Sequence, residues 1–170
     1  VMLDVGAIAD TKSENLVDLA VLGSVYAREI LKIPNPKVGL LSIGEEPEKG
    51  NAVTIAGHKL LAECRDINFI GNIEGRDVFT DKADVVVTGG FTGNIVVKLA
   101  ETFYEFAKEA GLDSHPFFER LNYETYGGSP ILGVNRPVVV GHGISSPTAI
   151  QHMIRLSWDI ARNGLPEQIK

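Results

Sequence analysis

The chain has 170 residues, 44% of them hydrophobic and 22% charged, with a net charge of −6 and one cysteine. That length holds one domain with a real core, the composition excludes disorder, and the acidic balance argues against a nucleic-acid ligand. One cysteine, Cys64, excludes a disulfide framework and fits a reducing cytoplasm, and no run approaches the ~18 apolar residues of a membrane span.

In chain order, Val1 to Asp4 reads as a strand, and a chain that opens directly on a strand is expected to be a fragment of a longer protein. Gly6 to Asp10 is a loop, and Thr11-Lys-Ser-Glu14 matches a capping box ahead of a helix. That helix carries Leu16, Leu19, Ala20, Val21, Val25 and Ile30 at helical spacing until Pro34 and Pro36 stop it. Val38 to Ile43 is apolar on both faces, as a central parallel strand is. A helix from about Ala52 to Cys64 leads to a short strand, Ile67 to Ile70, and a polar cluster of Asn72, Glu74, Arg76 and Asp77. Asp84 to Thr88 is the next strand, and Thr92 caps a helix reaching about Ala110. Residues 111–129 are irregular. Ile131 to Val134 and Pro137 to Val140 read as strands joined by a tight Asn135-Arg136 turn. Ser146-Pro147 is N-cap and N1 of a closing helix that ends near Gly164. Its stripe of Ile150, Met153, Ile154, Ser157 and Trp158 reads as intrachain core. Strands alternating with helices give an α/β class with a mainly parallel sheet, here a single domain over 1–170.

Three glycine-punctuated segments stand out: Gly44 to Asn51, Gly89 to Asn94 and Gly141 to Ala149. Each follows an apolar strand, and in an open parallel sheet the carboxyl ends of strands are where ligands bind. Unpaired amides and a helix dipole at such turns make an anion site, so a phosphate or phosphorylated ligand is expected where the three loops converge. Lys49 is either a point charge for phosphate or a thioester oxygen, or a solvated loop lysine. In Gly89-Gly-Phe-Thr-Gly-Asn94, Gly90 and Gly93 let the backbone approach an oxyanion, and Thr92 and Asn94 add donors. The alternative is a turn chosen for tight strand–helix packing. His142, between two glycines and followed by Ser145 and Ser146, is a proton shuttle, a phosphate ligand or a structural residue. Arg76 forks onto a phosphate or braces its own loop. Asp4 orients a base or caps the loop at Gly6. His58, His115 and His152 lack metal-ligand spacing and read as surface or packing residues. Walker, dinucleotide and nucleophile-elbow signatures are missing.

Taken together, LDVGA (Leu3 to Ala7), GLLSIGEEPEKGN ending at Asn51, FIGNIEGRD (Phe69 to Asp77), DVVVTGGFTGN (Asp84 to Asn94), YGGSPILGV (Tyr126 to Val134) and the HG-x-SS of 142–146 resemble the PlsX phosphate acyltransferases, in order and spacing, over nearly the whole chain. The resemblance implies a three-layer α/β/α fold similar to phosphotransacetylases and isopropylmalate dehydrogenases. It implies conversion of acyl-[acyl-carrier-protein] and inorganic phosphate to acyl phosphate, an early step of bacterial phospholipid synthesis, in a cytoplasmic homodimer with membrane contact only peripheral. Three departures accompany it. The family's amino-terminal half, with a glycine-rich motif of its own, is absent; Gly89 stands where an aspartate is usual; and the segment before Tyr126 is shorter.

Phosphate attacking a thioester brings together an anionic nucleophile and a developing oxyanion, so several N–H donors and a cation are needed. Lys49, Asn94 and His142 are the expected catalytic residues. Asn51, Arg76, Gly90, Thr92, Gly93, Gly143 and Ser145 are the expected substrate-binding ones, and the scheme requires no metal or cofactor. Two rivals stay open: a related enzyme of the same fold, either a phosphotransacetylase-like transferase using acyl-CoA or a decarboxylating dehydrogenase, and a non-catalytic fragment that dimerises and binds carrier protein. The aromatics Phe103, Phe106, Phe117 and Phe118 are expected at the homodimer interface.

Overall fold

The computed structural model describes residues 1–143 and 145–169; Ile144, inside the third glycine-rich segment, and Lys170 lie outside the described residues. The chain divides into two compact units, Val1–Ile95 and Val96–Lys170.

In the first unit a four-stranded parallel sheet has the order β1-β4-β2-β3, with β1 Met2–Leu3, β2 Lys37–Leu41, β3 Asn68–Ile73 and β4 Val85–Val87. The α/β class with a parallel sheet flanked by helices is therefore as expected, in keeping with a three-layer α/β/α arrangement. Val38, Leu40, Val85 and Val87 are fully buried, which is why these strands read as unbroken apolar runs. Strand β2 is shorter than expected: its last ladder bond runs from the Ser42 amide to the Ile73 carbonyl at 2.8 Å, and Ile43 beyond it is 80% exposed. Helix α1, Ser13–Glu29, and helix α2, Ala52–Glu63, pack against the sheet and each other through Leu16, Ala20 and Leu61.

The expected capping box at Thr11 is displaced. Helix α1 starts at Ser13, and the Asn15 carboxamide oxygen accepts from the Lys12 amide at 3.0 Å. Thr11 has another use: its hydroxyl donates to the Ile8 carbonyl and accepts from the Gly90 amide.

Strand β3 extends three residues beyond its predicted end and contains a bulge. Val38 pairs with Phe69 while Leu40 pairs with Asn72, so two steps on β2 face three on β3. Gly71 takes up the extra residue at φ 96°, a conformation costly for any side chain. Asn72, read from the sequence as part of a loop cluster, is thus a buried strand residue. Phe69 and Asn72, three apart, both reach His58 on α2, whereas regular pleating would send them to opposite faces.

Helix α3, Gly90–Glu109, begins at Gly90, so Gly89 is its N-cap and Thr92 falls in its first turn, not at the cap as expected. Phe91, Ile95, Leu99, Phe103 and Phe106 are all exposed along one face of it. In the second unit the stretch expected to be irregular holds two one-turn helices, α4 Pro116–Glu119 and α5 Tyr123–Tyr126. The expected strands at 131–134 and 137–140 become a minimal antiparallel ribbon, β5 Ser129–Pro130 with β6 Val139–Val140, where Val138 and Val140 are exposed. The third glycine-rich segment therefore follows a ribbon strand, not a strand of the parallel sheet. Helix α6, Pro147–Arg162, has Ser146 as N-cap and Pro147 at its start, as read, and Gly164 leads into α7, Leu165–Gln168. Its apolar stripe is not core: Ile150, Ile154 and Trp158 are 48%, 66% and 67% exposed, and Ala149 and Ile160 are buried instead.

A Cβ on Gly93 would overlap the backbone carbonyl oxygen of Asp4. Gly93→Ala is therefore expected to cost about 1–3 kcal/mol or more through forced backbone movement. Gly75→Ala, where a Cβ meets open space, is expected to stay within about 0.5 kcal/mol. Equal urea midpoints for the two variants would refute this account of the glycine.

Candidate functional site

Because β1 to β4 all run parallel, the segments that follow them share one edge of the sheet. Across that edge lie the loop after β1, the Gly89–Asn94 turn after β4, the Gly44–Asn51 loop after β2 and the turn after β3. Strands β4 and β2 are neighbours in the middle, which puts the first two glycine-rich segments side by side.

The β4 turn is held by a carboxylate. Asp4, 6% exposed, accepts from the Gly6 and Ala7 amides on Oδ1 at 2.9 and 2.8 Å and from Ile8 on Oδ2 at 2.6 Å. Asp4 thus caps the loop at Gly6, the second of its two expected roles. The same loop presses on α3, where side chains at Gly90 or Gly93 would collide with Ile8 or Asp4. Asn94 donates its Nδ2 to the Val5 carbonyl at 3.1 Å. The glycines of this turn therefore serve close packing, and Asn94 fastens the helix to the β1 loop. Thr92 is exposed on the first turn, next to the helix's leading amides.

The β2 loop is built differently. Asn51 caps α2, its Oδ1 accepting from the Thr54 amide and hydroxyl at 2.9 and 3.0 Å. Lys49 is exposed, with its stem beside Gly44, and its amide donates to the Glu46 carbonyl at 3.0 Å. Among the described residues its ammonium makes no salt bridge, so it stands available to an incoming anion. Arg76, in the turn after β3, pairs with Glu74 at 2.5 Å and braces its own loop.

Several residues to which the sequence assigns no site role complete this edge. His58 meets Asn72 at 2.9 Å, and Asn72 donates to the Glu46 carbonyl at 2.8 Å. Lys82 joins Glu45 at 2.6 Å and Asp77 at 2.8 Å. The Lys82 ammonium, with the Glu74 amide, holds the Asp77 carboxyl below its ordinary 3.8. Hydrogen bonds to Asp77 and Glu45 raise the Lys82 ammonium above 10.5. An "Asn after a glycine" at a strand's end was the available signal for Asn72, but nothing local indicates a partner 14 residues earlier.

The other expected residues lie in the second unit. His142 stacks at a tilt on Tyr123, with centroids 5.3 Å apart, and its Nε2 is 4.0 Å from Glu101. The Ser145 amide and hydroxyl both donate to the His142 carbonyl, at 3.0 and 2.7 Å. Gly143 is exposed, and a Cβ there would meet nothing. Of the remaining histidines, His115 caps α4 and His152 donates from Nδ1 to the Glu124 carbonyl at 2.7 Å, both packing roles as read. No described helix is long and apolar enough to cross a membrane.

Comparison with known proteins bears on this edge. The model of a family described as fatty acid synthesis protein matches residues 1–168. A phosphate acyltransferase from Halothermothrix orenii is 42% identical, over 99% of this chain and 56% of that protein. Those from Syntrophomonas wolfei and Campylobacter lari are 42% and 41% identical, over 98% and 99% of this chain and 53% and 56% of theirs. The chain spans about half the length of the curated relatives it matches.

The Asp77–Lys82 pair carries a pH signature. A carboxyl depressed in the folded state stabilises above its unfolded value of 3.8 and loses that contribution as pH falls through the lower folded value. Lys82 acts in the opposite sense, stabilising below 10.5 and losing this above its raised folded value. Lys82→Met is expected to raise the Asp77 titration midpoint, read by carboxyl-carbon NMR. An unmoved midpoint would show that Lys82 is not its cause.

Proposed function

We propose that this chain, which belongs to the fatty acid synthesis protein family, carries part of the active site of a phosphate acyltransferase. The substrate is an acyl thioester of acyl carrier protein, the acceptor inorganic phosphate and the product acyl phosphate, made in the cytoplasm for phospholipid synthesis. What supports the reading is that the β2 and β4 loops follow neighbouring strands at one sheet edge, with an exposed lysine on one and a helix N-terminus on the other, in a chain about 40% identical to named phosphate acyltransferases.

A phosphate oxygen attacks the thioester carbonyl carbon and forms the new C–O bond. The tetrahedral oxyanion then collapses, the C–S bond breaks, and the carrier thiolate leaves and takes up a proton. Two anions approach each other in this step, so the largest contribution a protein makes is fixed positive potential at the developing charge. Lys49 supplies a full charge, and the leading amides of α3 beside Thr92 supply the dipole end. Asn51 and Asn94 shape the two turns, Asn94 through Val5 and Asn51 through the α2 cap. Phosphate near neutral pH is already nucleophilic, so positioning matters more than a strong base. Arg76, paired with Glu74, braces the turn after β3.

The intact protein is expected to form acyl phosphate from acyl carrier protein thioester and phosphate, followed by hydroxylamine trapping. Lys49→Ala is expected to lower kcat/KM about a hundredfold, the usual scale for losing one such stabiliser, and His142→Ala less. Equal or better turnover with acyl-CoA would favour the phosphotransacetylase-like reading. Near-normal turnover of Lys49→Ala would remove that residue from the site.

The exposed stripe from Phe91 to Phe106 supports a second copy of the chain as its cover, with peripheral membrane contact secondary. Light scattering at micromolar concentration is expected to give a dimer mass, lowered to a monomer by Phe103→Asp with Phe106→Asp; a monomeric parent would refute the cover.

A further inference from the structure

The acidic loop after β2 is held from beneath by a buried amide. Asn72 is 4% exposed, and its Nδ2 donates to the Glu46 carbonyl. That carbonyl also accepts from the amide of Lys49, three residues on. One oxygen therefore joins the buried strand to the turn from which the Lys49 side chain springs. On the far side of the turn, the Ser42 hydroxyl donates to the Lys49 carbonyl at 2.9 Å. Both peptide groups flanking the Lys49 Cα are thereby fixed, one through Asn72 and one through Ser42.

His58 completes the chain. With Asn72 donating through Nδ2, its Oδ1 is an acceptor, so the His58 Nδ1 at 2.9 Å must carry hydrogen. Phe69 meets the same imidazole edge-on, with centroids 5.2 Å apart, which fixes the ring plane. The relay runs His58 Nδ1–H to Asn72, Asn72 N–H to Glu46, with Lys49 N–H converging on the same carbonyl. A buried asparagine with oxygen and nitrogen both engaged is expensive to misplace, so this relay has one setting.

Resting on the functional reading above, we propose that Asn72, oriented by His58, is a positioning residue that sets Lys49 for the transfer step, with Ser42 as its second brace. Asn72 touches no substrate and acts through the Glu46 carbonyl alone. A shift of about 1 Å in a catalytic group costs on the order of a hundredfold in rate.

The test is a double-variant cycle on the intact protein, with kcat and KM measured for each form. Asn72→Asp keeps size and the acceptor for His58 but replaces the donor with an oxygen that repels the Glu46 carbonyl. It is expected to lower kcat about ten- to a hundredfold with KM little changed, and His58→Gln, which keeps a donor, to lower it less than His58→Leu. In the Lys49→Ala background, Asn72→Asp is expected to do nothing further, since its only route is already gone. Losses that multiply in the double variant would overturn the inference and leave the role of Lys49 standing. Near-normal activity of Lys49→Ala would overturn the functional reading and this inference with it. Should Asn72→Asp fail to fold, the half-buried brace Ser42→Ala takes its place in the same cycle, with the same two outcomes.

Discussion

The carboxylate of Asp4 is the constraint on which the first unit depends. It leaves strand β1 buried, accepts three amide hydrogens from the loop it begins, and keeps its own amide on the Thr88 carbonyl at the end of β4. Hydrogen bonds to a charged group contribute about 1.5–3 kcal/mol each, and a buried carboxylate stripped of them would be far costlier than the bonds are worth. The loop has one shape as a result. That shape lays Asp4 and Ile8 against Gly90 and Gly93, which decides where helix α3 can start. A turn whose glycines look chosen for an incoming anion is thus first a turn chosen for a carbonyl of its own chain.

The two central loops solve the same problem with opposite means. The β4 turn is short and fixed by overlap of backbone on backbone. The β2 loop is long, acidic and largely solvated, and is held by three side-chain tethers: Asn72 on Glu46, Lys82 on Glu45 and Ser42 on Lys49. The first arrangement suits amides that must not move, the second a charge set to fine tolerance while staying in water. The two loops follow neighbouring strands, β4 and β2, at one edge of the sheet.

Much of this was legible in the sequence where one local signal suffices. Continuous apolar runs marked β2 and β4, because a parallel strand is buried on both faces. Ser146-Pro147 marked the start of α6, because a hydroxyl cap and a fixed φ are both local properties. Legibility failed where the deciding partner is distant. Thr11 looked like a cap but is taken by Gly90, 79 residues on. The α6 stripe has the right period for a core, yet period records only that a face is apolar, and Ile154 and Trp158 remain exposed. Of the candidate site, the residue types and loops were readable, but not the relay through His58 and Asn72. Nor did the sequence show that Asn94 and Asn51 are engaged with their own backbone and helix cap.

The bulge at Gly71 has a consequence of parity. A strand sorts its residues by odd and even position, and one extra residue reassigns every position after it. Asn72 and Ile73 owe their sides of the sheet to that single count, Asn72 meeting His58 and Ile73 buried beside Gly39. Deleting residue 71 would shorten the chain by a trivial amount and leave every side chain chemically intact. It would nonetheless exchange the two faces beyond it, sending the amide where the isoleucine belongs and the isoleucine under the acidic loop. Within this strand, only an even number of residues can be gained or lost without exchanging the faces beyond the change.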